Sequence, residues 1–346
     1  MVWLVRNHLL MSDTAQKRDT ADPRTIRNFA KTVGNPMRLR LLAVLTVCDI
    51  RGVGPDVWNN WKAVLLRGLF QQALDILSDG STTQSHGTRV EHAKAELSKA
   101  LADWPATRIK TECARHYGAY WLGLDTATHR VFAELLLDVS DDAVNSSVEP
   151  DDSRDATRAC FVMQDHPGIF ARFAGALALS GANVVDARTY TSSDGLATAV
   201  FWIQDMDGRP YEKSRLMRLR KMISQTLKGE VIARDALKTK DKVKRREKDF
   251  VVPTAITFDN LASDIHTLIE VDTRDRPGLL HDLARTLTAN NISIASAVIA
   301  TYGEQAVDTF YVKDLFGLKL YSESKQRVIE ARLREAIQRG AESALA

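Results

Sequence analysis

The chain has 346 residues, enough for two or three domains with cores of their own, and its 45% hydrophobic and 26% charged content is that of an ordinary globular protein. A net charge of +3 is too small to argue for nucleic acid, and the longest apolar run, Leu41–Cys48, falls far short of the roughly 18 residues that a membrane span needs. Cys48, Cys113 and Cys160 lie far apart without metal-ligand spacing, which suits free thiols in a reducing cytoplasm, the expected compartment.

Residues 1–140 read as helical. Met1-Val-Trp-Leu-Val lacks the layout of a signal peptide and runs straight into Trp3, Leu4, Leu9, Leu10 and Met11, which read as the middle of a buried helix. We therefore expect the chain to begin partway through a domain. Asp22-Pro23 and Asn35-Pro36 each start a helix, with Asp or Asn as the cap and Pro in the first turn. The second of these carries Leu39, Leu41, Leu42, Val44, Leu45 and Val47, dense enough to predict burial on most sides. Gly52-Val-Gly-Pro55 breaks the pattern, and a helix bearing Trp58 and Trp61 follows. Ser78–Thr88 is a polar loop, and two further helices run to about Val139. The Asp- and Ser-rich stretch Asp138–Ala156 reads as a linker, placed at 141–156 in the domain division.

Beyond it the periodicity changes. Ala159–Met163 is a strand, Ile169–Leu179 a helix, and Val184–Thr191 and Leu196–Ile203 are strands joined by the turn Ser192-Ser-Asp-Gly195, with a second helix over Leu216–Leu227. The same order returns as strand Thr267–Val271, helix Leu279–Ala289, strands Ile292–Thr301 and Ala306–Val312, and helix Ser324–Arg339. Asp165-His-Pro-Gly168 in the first copy and Asp275-Arg-Pro-Gly278 in the second stand 110 residues apart, and 165–191 matches 275–301 at seven of 27 positions. This βαββα order is the ferredoxin-like split βαβ arrangement. Val251–Phe258 could supply a fourth strand to the first module, whereas no fourth strand is evident for the second.

The DxPG loop has a chemical reading. Pro in the first turn gives up no needed hydrogen bond, and Gly168 and Gly278 leave the free N–H groups of a helix start open to a carboxylate. Asp165 and Asp275 stand ready for an ammonium group, so a zwitterionic amino acid would satisfy both charges. The competing reading is that Asp and Pro merely start a helix after a strand.

With these residues the unit resembles an ACT domain, a regulatory fold that binds amino acids at this loop and at the entry to the second strand. The resemblance gives Asp165, Gly168, Ile169 and Asn183 in the first copy and Asp275, Gly278 and Leu279 in the second as candidate ligand residues. In the second copy Ser293 replaces the Asn. The segments from His8 to Asp19, Leu45 to Arg51, Val57 to Lys62 and Arg115 to Trp121, with Val252-Pro-Thr254, resemble the bifunctional uridylyltransferase/uridylyl-removing enzyme family from the latter half of its HD phosphohydrolase domain onward.

The resemblance implies an α+β chain: 1–140 as the C-terminal part of an HD helical domain, 157–262 as a first ferredoxin-like βαββαβ (ACT) domain with a basic insertion near 234–249, and 263–346 as a second. It implies the PII nitrogen-signalling protein as partner, glutamine as effector, and Mg²⁺ or another divalent metal in the full-length enzyme, with none expected on this chain alone. Neither nucleic acid nor membrane is expected as a partner.

The Gly-Ser and Asp-x-Asp pattern of a nucleotidyltransferase is missing, as is the HD dyad. Asp205-Met-Asp207 is read as a turn, His281-Asp282 as an ordinary helix pair, and the basic run 238–248 as a solvated loop. Asp49, at the end of an apolar helix, is balanced on its own by Arg51. Through the resemblance it becomes the last metal ligand of an HD site, with His8 nearby. We expect a regulatory, non-catalytic portion. The alternatives are a freestanding metal-dependent phosphohydrolase and a non-enzymatic ACT-type amino-acid-binding regulator.

Overall fold

The computed structural model describes residues 2–54, 57–79, 86–137, 139, 144–205, 207–228, 252–302 and 304–345. The basic insertion at 234–249 and the linker positions 141–143 lie outside the described residues.

Among the described residues, the first part is a stack of nine helices: α1 (Val2–Arg6), α2 (Leu10–Lys17), α3 (Pro23–Val33), α4 (Pro36–Val53), α5 (Asn60–Asp79), α6 (His86–Ala100), α7 (Ala106–Arg115), α8 (Gly118–Gly123) and α9 (Thr126–Leu135). The expected caps are in place. The Arg24 amide donates to the Asp22 carboxylate, the Arg38 amide donates to the Asn35 side chain, and Gly34 ends α3 at φ +83°. Three expectations need correction. Helix α4 is buried along one stripe only (Leu39, Leu42, Thr46, Ile50), while Leu41 and Val44 face outward. Trp58 precedes its helix rather than lying in it. The region from 86 to 135 holds four helices rather than two, because Pro105 starts α7 and the Asp125 carboxylate caps α9.

The described residues of the second part form one eight-stranded antiparallel sheet in the order β1-β2-β4-β3-β7-β8-β6-β5. Its elements are β1 (Asn145–Asp151), β2 (Ala156–Gln164), α10 (Ile169–Leu179), β3 (Asn183–Thr191), β4 (Leu196–Gln204), α11 (Lys213–Leu227), β5 (Ala255–Asp259), β6 (Thr267–Arg274), α12 (Leu279–Ala289), β7 (Ile292–Tyr302), β8 (Gln305–Asp314) and α13 (Glu323–Leu345). Each half is a four-stranded ferredoxin-like sheet, and the structure resolves the origin of the fourth strands. Residues 145–151, expected as linker, form β1 and pair with β2 from Asn145↔Val162 to Asp151↔Ala156. Residues 255–259 pair with β6 rather than with the first module. In both halves the edge strand therefore comes from the segment just upstream of the module.

Helices α10–α13 cover one face and bury a single core spanning both modules, including Phe161, Phe173, Phe201, Leu283 and Phe310. The helical stack covers part of the other face, with Trp121, Phe132 and Trp202 in a second cluster. This explains why β4 reads Leu-Ala-Thr-Ala-Val-Phe-Trp-Ile-Gln with every residue buried: a strand covered on both faces has no polar side to alternate with.

Candidate functional site

The two DxPG loops share a backbone and differ in their surroundings. Gly168 and Gly278 both sit in the left-handed region (φ +89° and +77°) immediately before α10 and α12, and neither helix has a side-chain cap there. A Cβ on Gly168 would also lie 3.2 Å from Thr288 Cγ2, so the first loop packs on the end of the second module's helix. Ile169 and Leu279 are buried in the core, so only their backbone amides could serve a ligand.

In the first loop the Asp165 amide donates to the Gly195 carbonyl (3.0 Å) and the Thr191 hydroxyl donates to the Asp165 carboxylate (2.6 Å). His166 turns back on the neighbouring Pro167 carbonyl, with Nδ1 3.0 Å from it. In the second loop the Asp275 amide donates to the Glu304 carbonyl (2.8 Å). Arg276 is buried, pairs with Asp282 (2.5 Å), and lies beneath α13, where a Cβ on Gly340 would fall 1.8 Å from the guanidinium. The residue after the Asp thus plugs the second loop and leaves the first more open.

The sequence reading missed Asp308. It stands on β8 where the repeat has Ala199 in β4, is 2% exposed, and has no hydrogen-bond partner for Oδ1. Burial, reinforced by the charge of Asp275, pushes its carboxyl well above the usual range. A buried Asp in one copy of a repeat is visible in the sequence once the copies are aligned.

Among the described residues, Asn183 makes no hydrogen bond to either loop. It lines a cleft of about 320 Å³ between the helical stack and the middle of the sheet, together with Lys62, Asp186, Arg188 and Thr301. Beside this cleft is a buried ionic clamp. Arg188 on β3 pairs with Asp19 (3.0 Å) and Asp186 (3.5 Å) and donates to the Gly123 carbonyl (2.6 Å). Asp19 also accepts from Ser296 on β7 (3.0 Å), and its amide donates to the Tyr311 hydroxyl on β8 (2.8 Å). Burial alone would weaken the Arg188 charge, but Asp19 and Asp186 hold the guanidinium firmly protonated. One turn of the helical stack, between α2 and α3, therefore touches both modules at their junction.

The metal expectation gains no partner. Asp49 is exposed in the last turn of α4, and among the described residues no group of three or more His, Cys, Asp or Glu side chains could hold a metal ion. His8 is exposed in the turn after α1, with Nδ1 against the Val5 carbonyl (2.9 Å). The described residues around Asp49 and His8 do not fit a metal centre. His281, in the expected helix pair, is buried with Nδ1 on the Ala171 carbonyl (2.9 Å), tying α12 to α10. Asp205 accepts from the Asp207 and Arg209 amides, as a turn residue does. Among the described residues no helix is long and apolar enough to cross a membrane.

Comparison with known proteins follows the same division. Residues 161–214 match the ACT domain family, and residues 255–342 match the family described as ACR9-like, ACT-like domain. The bifunctional uridylyltransferase/uridylyl-removing enzyme of Ruegeria pomeroyi is 63% identical over 99% of this chain and 38% of its own length. That of Cereibacter sphaeroides is 61% identical over 99% of this chain and 37% of its own, and that of Azospirillum brasilense 45% over 97% and 37%. The chain resembles the C-terminal region of these bifunctional enzymes. It spans less than two fifths of the length of these relatives. The ACT-type modules begin at β1 and at β5, and the helices before them belong to the same region of similarity.

Proposed function

We propose that this chain is the regulatory portion of an enzyme that adds uridylyl groups to PII and removes them, that its ACT pair senses glutamine, and that the chain is not catalytic by itself. The observation that carries this reading is the clamp centred on Asp19, which ties the helical stack to the junction of the two ACT modules. A ligand that shifts one module against the other must strain or relieve that contact, and the helices then register it. Coupling of this kind is worth about 1–3 kcal/mol in typical allosteric proteins, enough to change a partner activity several-fold.

The DxPG loops supply two helix starts for a carboxylate. On this reading the first loop, with its open His166 position, is more readily occupied than the second, which Arg276 plugs. The HD-type assignment of the helices, Mg²⁺ in the complete enzyme and a cytoplasmic location belong to the same proposal.

Calorimetric titration of the chain with glutamine, with glutamate as control, tests the sensor half. Saturable binding of glutamine with a dissociation constant of roughly millimolar, about −4 kcal/mol, is expected. Equal binding of both amino acids, or of neither, would contradict it. Release of UMP from uridylylated PII by the purified chain would contradict the non-catalytic half.

A further inference from the structure

Helix α7 has a single buried residue, and it is a glutamate. Glu112 is 4% exposed and lies between two cationic side chains, with Oε2 3.2 Å from Arg115 Nε and Oε1 3.3 Å from His116 Nε2. Thr107, Arg108, Thr111, Glu112 and Arg115 recur at i, i+1, i+4, i+5 and i+8, which puts them on one face of the helix. That face looks across to the apolar end of α9, at Leu136 and Leu137. A polar face gains nothing by closing on an apolar wall, and a cavity of about 290 Å³ stands between them, with Trp104 beside it.

The charges around this cavity are unevenly committed. Arg115 already carries two carboxylates, Glu112 and, at 3.1 Å, Asp194, although its buried Nε makes no hydrogen bond among the described residues. Arg108 is exposed, and among the described residues its guanidinium makes no hydrogen bond or ion pair. It lies over the Trp104 ring, 5.8 Å from the centroid. The cavity therefore offers one uncommitted cation beside an aromatic ring, a Thr107 hydroxyl, and an apolar floor. A guanidinium suits carboxylate or phosphate oxygens, and the ring and leucines suit a planar apolar group. The volume is just below the ~300–1,000 Å³ of drug-sized sites, so the ligand is small.

Arg115 also reaches the first ACT-type module. Besides its pairing with Asp194, its carbonyl accepts from the Ser193 amide (2.9 Å), and both residues belong to the turn 192–195 between β3 and β4. The Gly195 carbonyl of that turn accepts from the Asp165 amide (3.0 Å) in the first DxPG loop. One arginine and one turn thus connect the cavity to the loop.

We propose that the cavity between α7 and α9 binds a small organic anion, a phosphate ester or carboxylate carrying a planar ring, and that its occupancy is felt at the first DxPG loop through Arg115 and the turn 192–195. Arg108 takes the anionic group and Trp104 packs on the ring. The anion competes with Asp194 for the Arg115 guanidinium and so loosens the hold of α7 on the turn. The site does not depend on what the DxPG loops bind.

The test is calorimetric titration of the full chain with phenyl phosphate and with benzoate, using inorganic phosphate and phenol as comparisons, for the wild type and Arg108→Gln. Arg108 is exposed, so its substitution leaves the melting temperature near that of the wild type. Saturable binding of phenyl phosphate or benzoate is expected, at least tenfold tighter than phosphate or phenol alone and at least tenfold weaker in Arg108→Gln; whichever probe binds identifies the anion. Amide exchange at Ser193 and Asp165 should change in the wild type when that probe is bound. Failure of both probes to bind, or binding that Arg108→Gln retains, would overturn the site. Binding with unchanged exchange at Ser193 and Asp165 would overturn its connection to the loop.

Discussion

Asp19 occupies the turn between α2 and α3, and three of its atoms are engaged by residues 169 to 292 positions away in sequence. Removing one partner of a buried ion pair leaves the other charge uncompensated, at a typical cost of about 3–5 kcal/mol. Asp186 remains beside Arg188 and shares that charge, so Asp19→Ala is expected at the lower end, about 3 kcal/mol, measured as a fall in urea midpoint. An unchanged midpoint would show that the clamp adds nothing to the attachment of the stack. His129 offers a second test at the same scale. It is 1% exposed, packed against Tyr120 and Trp121, and burial lowers its imidazole from 6.5 to about 4. Between those values the unfolded chain binds a proton that the folded chain refuses. Stability is therefore full above pH 6.5 and falls as pH drops towards 4, by about 3 kcal/mol from this group. His129→Gln should flatten that part of the pH profile relative to the wild type, and an unaltered slope would remove His129 as a cause.

At the scale of elements, glycine is needed for different reasons at neighbouring sites. Gly168 and Gly181 both have positive φ, but a Cβ at Gly181 meets nothing within 4 Å, whereas at Gly168 it meets Thr288. Alanine should cost about 1 kcal/mol at Gly181, from backbone conformation alone, and about 2 kcal/mol at Gly168, where packing adds to it. Equal losses in chemical denaturation would mean that the first loop does not bear on α12. The sequence made the central elements legible because their signals are local: Asp22-Pro23 and Asn35-Pro36 cap helices, and the apolar runs of β4 and β8 announce strands buried on both faces. The edge strands were not legible. In β1 only Val148 and Asp151 are buried, and Pro150 sits in a strand with one free edge; in β5 only Ile256 is buried. A strand with so few buried positions carries too little alternation to stand out from a linker. The candidate loops were visible as a repeated motif. The plug formed by Arg276 under Gly340 and the clamp were not, because each joins residues far apart in sequence.

At the scale of the whole molecule, one sheet shared by two ACT-type modules carries helices on one face and the helical stack on the other, and the stack contacts both modules. A ligand that binds only the folded state also stabilises it, by about 2.7 kcal/mol at one hundred times its dissociation constant. Glutamine should raise the melting temperature accordingly, with glutamate lacking the effect; a rise with both would point to a nonspecific solute effect. Coupling between the modules and the helices is tested by amide hydrogen exchange across the chain, with and without saturating glutamine. Altered protection in residues 10–33, which flank Asp19, together with the β3–β7 junction, is the expected result. Changes confined to 165–191 and 275–301, with 10–33 unaffected, would contradict it: the modules would bind their ligand without informing the helices.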